Sequence, residues 1–88
     1  MTTTIHKFNL EFGRTFLQMP VCSQMLTVQM QGEHPMLWAM VHTHRPLQQV
    51  VIDVYGAGFD MPDQPGFYIA TFQDGPMVWH AFEAVPHA

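Results

Sequence analysis

Charge is scarce in this chain. Only 11% of its 88 residues are Asp, Glu, Lys or Arg, against roughly a quarter in an ordinary soluble domain. The basic set is Lys7, Arg14 and Arg45, against seven carboxylates, giving a formal net charge of −4. Binding to nucleic-acid phosphates draws its affinity from counterions displaced by clustered cations, and three scattered ones do not supply it. Seven dispersed carboxylates are equally sparse for an acidic mimic of DNA. Cysteine is nearly absent too: Cys22 stands alone, so no intrachain disulfide forms and a reducing, cytoplasmic setting is expected. Long apolar runs are missing. The longest, Met36 to Val41, falls far short of a membrane span, and the start from Met1 to Lys7 has neither a basic nor an apolar targeting region. No membrane partner is expected.

Helical periodicity is also missing. No long window carries a 3.6-residue apolar repeat, and glycines and prolines leave room only for a short helical turn between Asp60 and Gln64. What the chain does have is apolar substance, 48% hydrophobic and 12% aromatic residues, enough for a packed core in one small domain spanning 1–88. Turn-forming residues punctuate it at strand-like intervals: Gly13, Pro20 to Ser23, Gly32 to Pro35, Thr43 to Pro46, Gly56 to Gly58, Met61 to Gly66, and Asp74 to Pro76.

Between them the period is two. Ile5 to Phe12 places Phe8, Leu10 and Phe12 on one face, and Gln24 to Gln31 turns Leu26, Val28 and Met30 inward. Met36 to Val41 is apolar on both faces, as a central strand is. Gln48 to Tyr55 sets Val50, Ile52 and Val54 opposite Val51, Asp53 and Tyr55. Phe67 to Gln73 and Met77 to Glu83 flank Asp74-Gly75 and read as a hairpin, with Pro76 indicating a loop longer than two residues. The fold class is therefore all-β: a compact antiparallel β-sandwich or small barrel of six or seven short strands, with little or no helix.

The segments Ile5-His6-Lys7-Phe8-Asn9-Leu10, Leu26-Thr27-Val28-Gln29-Met30-Gln31, Leu37-Trp38-Ala39-Met40-Val41, Tyr68-Ile69-Ala70-Thr71-Phe72-Gln73 and Val78-Trp79-His80-Ala81-Phe82-Glu83 resemble, in this order, a family of small proteins of unknown function from tailed phages and prophages. That family carries Gly-Thr-Gly-His after its fifth strand, where this chain has Gly56-Ala57-Gly58-Phe59. A phenyl ring thus replaces a potential ligand or acid–base group. The resemblance implies a phage accessory protein, of a class that binds and disables host components, and no established chemistry.

Reactive constellations are weak. His42 and His44 share a face if the strand extends through both, and imidazole is a common metal ligand, but two ligands do not make a site unless His34, His80 or an Asp converges. Gly56-Ala57-Gly58 lacks the Lys-Ser/Thr and helix start of a phosphate loop and reads as a strand exit needing positive φ. Cys22 lacks a neighbouring base and is expected to be buried as a small hydrophobe. Asp60 and Asp63 read as turn residues. No enzyme activity, metal or cofactor is expected.

The surplus lies in Met and aromatics. Eight methionines exceed what core filling needs and supply adaptable contact area. Trp38, Met40, His42, His44, Arg45, Tyr55, Tyr68 and Trp79 are the interaction candidates, each tryptophan belonging either to the core or to an interface. The expectation is a non-enzymatic module that sterically occupies a host protein surface, as an inhibitor of antiviral defence. Its alternatives are a sponge for a signalling nucleotide, with Arg14 or Arg45 on a phosphate and a ring on the base, and a minor virion component. Exposed strand edges guarded by a single lysine also lead us to expect a homodimer.

Overall fold

A backbone that alternates side chains between two faces needs an apolar residue only at every second position to build one face of a core. The computed structural model of the protein, which describes residues 2–85, uses this rule in seven strands: β1 (Thr3–Asn9), β2 (Gly13–Pro20), β3 (Gln24–Gln31), β4 (His34–His42), β5 (Leu47–Gly56), β6 (Phe67–Asp74) and β7 (Met77–Glu83). They form two antiparallel sheets, ordered β1-β4-β3 and β2-β5-β7-β6. This is the sandwich form of the all-β expectation. No helix occurs among the described residues, and 60–64 belongs to the loop between β5 and β6.

One core joins the sheets. Val28 and Leu37 from the three-stranded sheet pack with Val50, Ile52, Val54, Ala70, Phe72 and Ala81 from the four-stranded one, and Leu10 and Met19 complete the cluster. Leu37, Ile52 and Val28 are sealed from solvent; full burial of such a side chain is worth about 1.5–3 kcal/mol. Between the sheets, β3 and β6 make the closest approach. At β1 the sandwich is open, because Thr4 and His6 are exposed although they share a sheet face with Phe8.

Several local expectations change. The apolar alternation from Ile5 to Phe12 belongs to two elements: β1 stops at Asn9, the chain turns, and β2 begins at Gly13. Phe12 is therefore released from the core face and is exposed. In β3 the pairing with β4 shifts register between Met25 and Thr27. That bulge pushes Leu26 outward and substitutes Met25 on the core side, where it packs against the central cluster. The β6–β7 hairpin is tight, with Asp74 directly opposite Met77. Gly75 has a φ of 58°, as the first central residue of a type II′ turn requires, and Pro76 fits the following position with its negative φ.

Cys22 also departs from expectation. It is exposed, in the turn between β2 and β3, where its backbone takes a left-handed φ of 61°. Its thiol belongs to the surface. Gly66, with φ of 102°, is required for a second reason: a Cβ there would collide with the carbonyl oxygen of Glu83.

These two turns give opposite outcomes in chemical denaturation. Cys22→Gly is expected to stabilise the fold by roughly 0.5–1 kcal/mol, since glycine removes the left-handed penalty and returns part of it as unfolded-state entropy. Gly66→Ala is expected to destabilise it by about 1–3 kcal/mol.

Candidate functional site

The outer face of the four-stranded sheet carries chemistry that the core does not need. Antiparallel register aligns Arg14 of β2, Asp53 of β5, Phe82 of β7 and Tyr68 of β6 in one row across all four strands. A second row places Tyr55, His80 and Thr71 beside it. Phe16 lies opposite Val51 in a third. The same pleat that turns Val50, Ile52 and Val54 into the core turns Val51, Asp53 and Tyr55 onto this face.

Asp53 is the chemical centre of the row. It is the buried charged residue of the described chain, 5% exposed, and its carboxylate is held bidentately: Arg14 Nε donates to Oδ1 at 2.8 Å and Nη2 to Oδ2 at 2.9 Å. The Tyr55 hydroxyl donates to Oδ2 at 3.3 Å. These bonds, and then the Asp53 charge, hold the Arg14 guanidinium above its ordinary pKa. Burial, and then the same charge, raises the Tyr55 phenol, which stays a donor. The result is a neutral, directional pair in which the buried Asp53 carboxylate would be costly alone, while the Arg14 side chain stays more than half exposed.

Aromatic rings surround the pair. Tyr55 and Tyr68 each meet Phe82 edge-on, with centroids 6.0 and 5.7 Å away, a favourable geometry for ring quadrupoles. The Tyr68 hydroxyl lies 2.8 Å from Thr71 Oγ1, which lies 3.0 Å from His80 Nδ1. Phe16 and Tyr68 remain 63% and 60% exposed. The face is thus apolar, ordered and open.

Arg14 also stands between two clefts. One, of about 430 Å³, is lined by Phe12, Arg14, Asp53, Tyr55, Phe59 and Trp79. Trp79 packs against Phe12 at 4.4 Å and Phe59 at 5.7 Å between centroids, and its buried Nε1–H has no acceptor among the described residues. Phe59 lies so close to Gly56 that a Cβ there would stand about 3.0 Å from its ring. That close approach explains Gly56, while Gly58, with φ of 86°, supplies the positive φ of the strand exit. The second cleft, of about 900 Å³, lies between β5 and the loop at Pro62 to Pro65, with Glu83 on its lining. Burial raises the Glu83 carboxyl above the usual glutamate range.

The interaction candidates fall into separate places. Tyr55 and Tyr68 join the aromatic face, and Trp79 lies on the opposite side of the same sheet, at its cleft. Trp38, Met40 and His42 sit on the outer face of the three-stranded sheet, opposite Lys7, Ile5 and Thr3 of β1. His44 and Arg45 lie in the turn after β4. His42 and His44 do not share a strand face, because β4 ends at His42; their rings are 6.2 Å apart and His42 Nδ1 lies 3.0 Å from Thr3 Oγ1. No group of three His, Cys, Asp or Glu side chains converges among the described residues. Phe16, Phe82 and the Arg14–Asp53 pair were not singled out by sequence. Alternation did place Asp53 opposite the core residues of β5, but its partner is 39 positions away.

The chain belongs to the DUF7352 family, a domain of unknown function whose family model matches residues 1–88. No curated protein and no solved structure matches it.

Removing Arg14 leaves a buried carboxylate without its counter-charge, so Arg14→Ala is expected to lower the thermal midpoint more than the double variant Arg14→Ala/Asp53→Asn; a double-mutant cycle measures the difference. Ionised Glu83 costs stability at neutral pH, because its folded-state pKa lies above the unfolded one. Glu83→Gln is expected to raise the denaturation midpoint at pH 7, and the gain to vanish as pH falls to about 3, below the ordinary glutamate pKa, where the carboxyl is protonated in both states.

Proposed function

We propose that this DUF7352 member is a non-enzymatic binding module that covers a surface of a partner protein with the outer face of its four-stranded sheet. The observation that carries this reading is the row Arg14–Asp53–Phe82–Tyr68, flanked by Tyr55 and Phe16. Interface centres are poor in charge and rich in aromatic residues, and the only charges in this row cancel. Ring contacts and the Tyr68–Thr71–His80 hydrogen bonds already order much of the face, which lowers the entropy lost on binding. Inhibition is steric: the partner is blocked where it is covered. A phage origin, a host-cell setting and a target in antiviral defence complete the proposal, and these rest on the resemblance of the strand segments alone.

The cleft beside Trp79 favours a second reading, capture of a signalling nucleotide. Its volume of about 430 Å³ falls within the range of small-molecule sites. Phe12 and Tyr55 offer ring faces there, and Arg14 retains N–H donors beyond the two that Asp53 accepts. Arg45 lies outside this cleft.

Affinity capture from infected-cell lysate, read by mass spectrometry, tests the first reading with three baits: the wild type, Phe16→Asp/Tyr68→Asp and Met40→Asp. The expected result is one protein held by the wild type and the Met40 variant and lost from the double variant. Equal capture by all three contradicts it. Calorimetry with cyclic nucleotides separates the second reading, which requires stoichiometric heat that Phe12→Ala abolishes.

A further inference from the structure

We infer that β1 pairs with the β1 of a second copy, in antiparallel register about a two-fold axis at His6, joining two three-stranded sheets into one of six strands.

The argument begins with backbone parity. Leu10 N–H donates to the Pro35 carbonyl at 3.0 Å and Thr43 N–H to the Thr2 carbonyl at 3.0 Å, in the same register that pairs Thr4 with Val41, His6 with Ala39 and Phe8 with Leu37. Even-numbered residues of β1 therefore spend their N–H and C=O groups on β4. Those of Thr3, Ile5, Lys7 and Asn9 point to the free edge, since β1 is the outermost strand of its sheet. From Thr3 to Lys7 every residue is exposed, on both faces of the strand.

The other edges differ. β3 and β6 lie against each other. On β2, Val21 N–H donates to the Pro46 carbonyl in the register of the β2–β5 ladder, so the even residues face outward. Among them Pro20 lacks an N–H and Arg14 is committed to Asp53. β1 is rich in β-branched residues, and its one lysine does not guard it: Lys7 Nζ reaches across the sheet to Gln31 Oε1 on β3, 2.7 Å away, away from the open edge.

Register follows from the same four outward residues. A two-fold axis at Lys7 would leave Thr3 without a partner inside β1. An axis at Ile5 would leave Asn9 without a partner inside β1. An axis at His6 pairs Thr3 with Asn9 and Ile5 with Lys7 of the second copy, each twice, and uses every outward group. Self-complementarity of this kind is what an isologous interface requires. His6 then faces its own counterpart at a non-hydrogen-bonded position, where opposed Cα atoms are only about 4.5 Å apart.

Sedimentation equilibrium and disulfide trapping test the proposal, the latter with Cys22→Ser present throughout. The wild type is expected to reach twice the 10.1 kDa chain mass. Ile5→Pro is expected to return a monomer with an unchanged far-UV circular dichroism spectrum, because its N–H serves no bond to β4. Under mild oxidation, His6→Cys is expected to cross-link at least about tenfold faster than Ile5→Cys or Lys7→Cys. A monomeric wild type, a dimer that survives Ile5→Pro, or faster trapping at position 5 or 7 would each overturn it.

Discussion

Everything in this molecule follows from the pleat. In a β-strand, side chains alternate between faces and backbone groups alternate between edges, and neither alternation can be changed without a bulge. Applied to β5, the rule separates core from surface: Val50, Ile52 and Val54 point inward, Val51, Asp53 and Tyr55 outward. Applied to β1, it separates backbone groups held by β4 from those left open. Core, aromatic face and open edge are three products of one geometric constraint.

The scarcity of charge acquires a structural meaning in this frame. With little charge on the surface, the sheet exterior is built from rings, glutamines and threonines. The single arginine on that exterior is fixed by a buried carboxylate instead of reaching freely into water. A face arranged this way presents a charge that is already paired when it is covered. It is also prone to unwanted pairing, which natural sheets normally limit with edge charges, prolines and bulges. β2 has a proline, β3 and β6 have bulges and each other, and β1 has only Lys7, whose ammonium is held by Gln31.

Legibility in the sequence was uneven for definite reasons. β4 was plain because its apolar residues are dense, β5 because its apolar residues are β-branched, and the β6–β7 hairpin because Asp74-Gly75 marks it. The alternation from Ile5 to Phe12 continued in sequence past the point where the chain turned in space, so one pattern hid the junction of β1 and β2. Leu26 was misplaced because a bulge inverts every side chain that precedes it, and no residue type there announces the bulge. Cys22 was misplaced because a left-handed backbone is unusual for cysteine. Of the site, Tyr55 and Tyr68 were visible as aromatics. Arg14 and Asp53 were not visible as a pair, since cross-strand register joins them over a long separation and only the folded sheet defines it.

Residue-resolved amide hydrogen exchange along β1, measured in dilute protein, tests this account most directly. Alternation predicts slow exchange at Thr4, His6 and Phe8 and fast exchange at Ile5 and Lys7 between them. Uniform rates along the strand, or the opposite alternation, would contradict it.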